Sequence, residues 1–307
     1  MDTIQLFIDQ LPDDTKYIDI SNKGLSVCLD LSRFKNLKKL YCSSNQLTSL
    51  PILNESLEEL KCYLNQLESL PKLNDSLKSL DCSLNQLTIL PVLNKNLKSL
   101  KCYANQIESL SELNENLKEL YCSSNQLTCV PLLNKKLQVL SCFLNQLTFL
   151  PELNESLEEL YCYENQLKSL PKLNDSLKKL NCSENKLKSL PKLNDTLQML
   201  SCPSNQLKSL PKLNNSLKKL YCYSNPLVLL NPNDDIPTLR QQIQTLNNFK
   251  HLYFSLKFKT QFKRWLWKLV REPKIALKYH PSYLTEHLVD GVELDNVLEE
   301  WIGNDDE

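Results

Sequence analysis

Lysine plus arginine and aspartate plus glutamate are matched at 36 each over 307 residues, so the formal net charge is zero. That balance gives no global field to draw in nucleic acid or an anionic membrane, and neither is expected as a partner. The length allows one long domain or a domain with an appendage, and no apolar run approaches the roughly 18–20 residues of a membrane span.

The chain opens with acidic residues and no continuous apolar stretch over Met1–Thr15, which predicts no signal peptide. Ile4, Leu6, Phe7, Ile8 and Leu11 suit residues 1–14 to covering the end of whatever follows, as an N-terminal cap. Tyr17 to Leu25 then reads as an imperfect first repeat, with apolar Ile18, Ile20 and Leu25 and with Lys23 where later units carry asparagine. Ten regular units follow without insertion, starting at Leu37 and every 20 residues to Leu217. Each reads like Leu57-x-x-Leu60-x-Cys62-x-x-Asn65-x-Leu67-x-x-Leu70-Pro71. A fixed period of this size predicts a solenoid, here over residues 15–231 with about eleven repeats.

Within a unit, the Leu60-Lys61-Cys62 alternation predicts a short strand with Leu60 and Cys62 inward and Glu59, Lys61 and Tyr63 outward. Leu67, Leu70 and Leu73 continue the core, and Pro71 blocks a helix on the return. A buried amide needs partners, so the asparagine column, represented by Asn65, Asn85, Asn125 and Asn145, predicts a ladder of bonds to neighbouring backbone. The cysteine column, including Cys122 and Cys142, reads as small buried apolar residues. Without a signal peptide these are reduced thiols, and the compartment is cytoplasmic. One cysteine per strand in a straight column does not surround an ion, and no histidine is near, so no metal is expected. Cys28 and Cys129 fall outside the column, and Cys129 replaces a serine, which predicts exposure. Six Asn-x-Ser/Thr sequons recur with the repeat, at Asn54, Asn74, Asn154, Asn174, Asn194 and Asn214, and read as turn chemistry.

The motif Leu-x-x-Leu-x-Cys-x-x-Asn-x-Leu resembles the leucine-rich repeat from about Ile18 to Leu230. Its 20-residue unit with Leu70-Pro71 is similar to the short repeats of bacterial secreted effectors. The wording Leu-Pro-x-Leu-Asn-x-Ser-Leu with its cysteine column looks more like the repeat proteins of giant DNA viruses, which would place the chain in a host cytoplasm. The resemblance implies an α/β repeat solenoid, a horseshoe whose parallel concave sheet binds a protein. Ser111 for proline, Val130 for leucine and Pro226 after the last asparagine depart from the pattern.

Residues 232–307 differ and predict a small helical C-terminal cap. Asp234-Asp235-Ile236-Pro237 is a helix-start signal. Apolar stripes follow at Ile236, Leu239, Ile243, Leu246 and Phe249, and again at Phe258, Phe262, Trp265, Leu266 and Leu269. Pro237 to Tyr279 holds ten Lys/Arg and one acid, and His280 to Glu307 nine acids and no Lys/Arg. The two halves could fold on each other, or the basic half could serve a membrane surface or nucleic acid, or the tail could recruit a second protein.

No nucleophile and base, metal cluster or phosphate loop is found, so neither catalysis, cofactor nor small-molecule substrate is expected. No cysteine follows Cys222, which leaves the tail without the thiol that the ligase domain of some similar effectors uses. A partner protein is expected instead, on outward strand residues. Tyrosine combines a large apolar body with a polar tip, and Tyr121, Phe143, Tyr161 and Tyr163, with Glu119 and Glu159 beside them, form the candidate patch.

Overall fold

One inward apolar residue between two outward-facing ones is all that each strand contains. Described by a computed structural model are residues 8–27, 30–227, 230–231, 233–247 and 261. The chain divides into two compact units, Met1–Gln244 and Thr245–Glu307, and the repeats lie in the first. Among the described residues the strands are β1 (Tyr17–Asp19), β2 (Lys39–Tyr41), β3 (Glu59–Lys61), β4 (Ser79–Asp81), β5 (Ser99–Lys101), β6 (Glu119–Tyr121), β7 (Val139–Ser141), β8 (Glu159–Tyr161), β9 (Lys179–Asn181), β10 (Met199–Ser201) and β11 (Lys219–Tyr221). They form one 11-stranded parallel sheet in sequence order. The register is that of the repeat: Leu120 pairs Leu140 and Leu140 pairs Leu160. The imperfect first unit joins it with Ile18 opposite Leu40.

Behind the sheet each coil packs the same apolar set. Leu117, Leu120, Cys122 and Leu127 are fully buried, and so are their equivalents through coils 2 to 8. Burying each such leucine is worth about 1.5–3 kcal/mol. The return from strand to strand contains no helix between Leu37 and Leu227, consistent with proline in the turn and with a 20-residue coil.

The coil closes on its asparagine. Asn145 Oδ1 accepts the Leu127 amide of the preceding coil at 2.9 Å. Its Nδ2 donates to Cys122 O of that coil at 3.1 Å and to Cys142 O and Phe143 O of its own, both at 3.2 Å. Asn65, Asn85 and Asn125 repeat the pattern, with the Leu47, Leu67 and Ile107 amides at 3.0 Å and Cys42 O, Cys62 O and Cys102 O at 3.0 Å. To aim those carbonyls at one amide, the residue before each asparagine takes a left-handed conformation. Leu64, Leu84, Ala104, Leu144 and Glu164 all do so, at φ 50–56°. A non-glycine residue there costs about 1–2 kcal/mol, so the ladder must outweigh a penalty incurred in every coil.

A second amide column lies at the far corner of the coil, on residues that the sequence suggests only as turn-formers. Asn134 Nδ2 donates to Asn114 O at 2.8 Å and Leu117 O at 3.0 Å. Asn214 donates likewise to Asn194 O at 2.7 Å and Leu197 O at 2.9 Å. Asn154, Asn174 and Asn194 reach the Leu137, Leu157 and Leu177 carbonyls. These asparagines therefore join coils as well as shaping turns.

Both ends of the array are tied down by arginine. Arg33 donates to Ile8 O at 2.6 Å and Leu11 O at 2.9 Å, and pairs with Asp13 at 2.9 Å. At the other end the register of the second column would call for an asparagine at Asp234. Arg240 Nη2 supplies the missing donor to Asn214 O at 2.9 Å. Arg240 lies on a helix over residues 236–247. Asp235 caps its start by accepting the Thr238 amide at 2.8 Å, and Leu239 and Ile243 are buried. The further helices expected of the tail, with Trp265 and the acidic half, fall outside the described residues, as do most of the basic half, Cys28 and residues 1–7.

Adjacent residues should respond in opposite directions to substitution. Asn145→Ala leaves buried backbone groups unpaired and should cost about 1–3 kcal/mol in urea unfolding. Leu144→Gly, at φ 51°, should hold stability or raise it by up to about 1 kcal/mol, because glycine carries no left-handed penalty.

Candidate functional site

The register of β6, β7 and β8 arranges their outward residues in rows. Glu119, Val139 and Glu159 lie side by side, as do Tyr121, Ser141 and Tyr161. The residues that follow each cysteine make a third row of Ser123, Phe143 and Tyr163. All six of the proposed partner-binding residues thus fall on three consecutive coils, and all six are half-buried.

The grid has a low centre. Ser141 is 4% exposed and its Oγ lies 2.8 Å from Ser123 Oγ. Tyr121 and Tyr161 flank it on strands two apart, or about 10 Å at ordinary strand spacing. Phe143 and Tyr163 stack at 4.2 Å between centroids and 9° between planes. The Lys101 ammonium sits 5.4 Å from the Tyr121 ring centre.

The polar groups are held in place. Tyr161 Oη donates to Glu159 Oε2 at 2.8 Å, and Lys179 pairs with the other oxygen of Glu159 at 2.8 Å. Burial pushes the Glu159 carboxyl up, but the Lys179 and Tyr161 bonds outweigh it and its pKa is lowered. Glu119 accepts Ser99 Oγ at 2.9 Å. Burial raises the Tyr121 phenol, and the Glu119 and Glu159 charges add to the effect. Tyr161 is raised by burial and by its bond to Glu159. Both phenols therefore remain neutral hydrogen-bonding groups at physiological pH. The arrangement offers flat aromatic surface and two carboxylates around a buried centre, which suits contact with another protein.

A second aromatic cluster, over β1 to β3, is occupied by its own neighbours. Tyr17 meets Tyr41 edge-on at 5.2 Å. Tyr41 Oη donates to Glu59 at 2.7 Å, and Lys61 lies over its ring at 4.1 Å. Glu59 also pairs with Lys39 at 3.1 Å and Lys61 at 3.2 Å. The sequence pattern alone does not separate this satisfied network from the middle patch, because both show tyrosine beside glutamate and lysine.

Cys122 and Cys142 belong to a column of ten buried cysteines running from Cys42 to Cys222, and Cys129 is free and exposed. Burial pushes the Cys122 and Cys182 thiols up to about 12 and raises Cys142 well above the ordinary range. No group of three or more metal-ligating side chains occurs among the described residues. Among them there is also no helix long and apolar enough to cross a membrane.

No family model matches the sequence, and no curated protein matches it. Solved structures do. YopM from Yersinia enterocolitica WA-314 superposes with a TM-score of 0.61 at 30% identity, over 71% of this chain and 57% of that one. YopM from Yersinia pestis, described as a leucine-rich effector protein, gives 0.64 at 31% identity, over 71% of this chain and 68% of that one. The functional domain of InlJ from Listeria monocytogenes, which includes a cysteine ladder, gives 0.58 at 25% identity, over 75% of this chain and 57% of that one. The chain thus spans little more than half of the first and third of these proteins.

The thiol column sets a pH dependence. A group whose pKa is raised on folding stabilises fully below its unfolded pKa, and that stability is lost as pH rises through the folded value. With unfolded thiols near 9 and folded ones up to about 12, the melting temperature should hold to about pH 8 and fall from pH 9 to 12. Replacing Cys122 and Cys142 by alanine should flatten that fall. At pH 8, in a Cys28→Ser background, a thiol reagent should modify Cys129 within minutes and the column only on unfolding.

Proposed function

Because the chain belongs to the leucine-rich-repeat family, we propose that it is a non-enzymatic interaction module whose strand face holds a partner protein over β6 to β8. The observation that carries this reading is the buried Ser141 set between Tyr121 and Tyr161 in the strand register, with the Phe143–Tyr163 stack beside it. Aromatic residues around a desolvated centre with a charged rim are what specific protein interfaces concentrate. Tyrosines held by packing and by the Glu159 bond lose little freedom on binding, which favours affinity. The reading places the protein in a reducing, cytoplasmic compartment, in keeping with ten free cysteines from Cys62 to Cys222, one of them at the surface. It takes residues 1–14 and 232–307 as the two caps of the array. The Arg33 bonds to Ile8 and Leu11 support the first, and the Arg240 bond to Asn214 supports the start of the second.

Quantitative affinity capture from cell lysate tests it. The Tyr121→Ala, Tyr161→Ala double variant should lose the proteins that the wild type enriches, each substitution costing at least about 2 kcal/mol of binding. Its circular dichroism and melting should stay near wild type, since both side chains are outside the core. Undiminished capture by the folded double variant would remove this patch as the binding surface.

A further inference from the structure

The flank of the coil that follows each ladder asparagine changes character along the array. Across coils 1 to 6, residues 46–53, 66–73, 86–93, 106–113, 126–133 and 146–153 contain one lysine, Lys72, and four glutamates. Across coils 7 to 9, residues 166–173, 186–193 and 206–213 contain seven lysines and no acid. The same seven-residue run, Lys-Ser-Leu-Pro-Lys-Leu-Asn, stands at Lys168, Lys188 and Lys208. The expectation against nucleic acid rested on the total charge, and the total conceals this segregation.

The fold turns the repeated run into two columns. Lys168, Lys188 and Lys208 form one, Lys172, Lys192 and Lys212 the other, and all six are exposed. None of them makes an ion pair among the described residues, whereas Lys178 and Lys179 on the neighbouring strand side pair with Glu158 and Glu159 at 2.7 and 2.8 Å. Lys186 adds a seventh charge and donates to Gln166 Oε1 at 3.3 Å. Acidic groups come near at the corner where Glu152, Glu155 and Asp175 line a shallow cleft with Lys172, and at the equivalent Asp195, three residues after Lys192. At about 4.8 Å per coil, the six columnar lysines place one positive charge per roughly 2.4 Å of solenoid axis. A nucleic-acid duplex carries one negative charge per about 1.7 Å, and each of its strands one per about 3.4 Å.

We propose that the Lys168–Lys212 flank is a second binding surface, which takes the phosphate backbone of a nucleic acid without reading its bases. This flank of coils 7 to 9 contains lysine but no arginine and no aromatic residue, so it has neither the fork that reads base edges nor a platform on which bases stack. The same composition argues against a protein partner, since interfaces deplete lysine and enrich aromatic residues and arginine. A bilayer would draw on exposed apolar side chains beside the charges. On this flank Ile52, Ile89, Val92, Leu132 and Phe149 are exposed, and all lie in coils 1 to 6.

Fluorescence anisotropy of the full chain with a single-stranded and a duplex RNA 20-mer, between 50 and 200 mM salt, tests this. About six phosphate contacts predict a slope of log K against log salt of about −4 for the single strand and about −5 for the duplex. Lys168→Gln with Lys188→Gln and Lys208→Gln should reduce that slope by about 2 to 3 and weaken binding at least tenfold at 100 mM salt. Lys98→Gln with Lys118→Gln and Lys135→Gln should change neither. Circular dichroism of both triple variants should match wild type, the replaced side chains being exposed. No RNA binding by the wild type, an unchanged slope in the first variant, or binding confined to anionic vesicles or polyglutamate would each overturn the proposal.

Discussion

Everything in the array depends on one side-chain amide per coil. A strand of three residues cannot close a coil by itself, and a 20-residue return without helix supplies few bonds of its own. The ladder asparagine joins four backbone groups that would otherwise be buried without partners, as Asn125 does with the Ile107 amide and the Cys102, Cys122 and Ser123 carbonyls. The leucines give the coil its free energy, but leucine alone is non-directional and would accept a slipped register. The amide accepts one register, because only there do the carbonyls converge. The left-handed residue before it is the strain that this convergence requires.

The cysteine column follows from the same geometry. The position beneath the amide is closely packed, and a thiol fills it without a branched side chain that would push the ladder aside. Burial keeps these thiols protonated, so a residue type associated with chemistry is here chemically quiet. The surface is left free to vary, and it does so by face. Aromatic and acidic residues gather on the strands of coils 5 to 7, and exposed lysines on the flank that follows the ladder asparagine in coils 7 to 9.

Much of the fold was legible because the repeat is strict. The strand at Leu120, its parallel pairing with Leu140 and the inward Cys122 all follow from a 20-residue period. The left-handed position was not legible, since Ser44, Leu64, Ala104 and Glu164 share no chemistry and only Leu64 would look out of place on a surface. Nor were the arginines at the two ends, because Arg240 acts through a register shared with Asn214 that sequence spacing does not display. The candidate patch was legible as a set of residues, and its buried centre was not. Ser141 looks unremarkable in sequence and gains meaning only from the tyrosines placed on either side of it.

The ladder has a direction. The Asn145 side chain seals the coil before its own, through Leu127 and Cys122, and its bonds do not extend to the coil after it, which only the Asn145 backbone amide meets, at Glu164 O. A coil is therefore finished only when the asparagine of its successor arrives, 18 residues beyond the leucine amide it receives. On a ribosome the N-terminal end emerges first, so each newly exposed coil would complete the one already made. Growth would run as a zipper, with one unfinished coil at its moving tip. Such a chain never has to hold a long stretch of exposed leucine while waiting for a distant partner, which is the hazard that sheets with far-flung pairings face during synthesis.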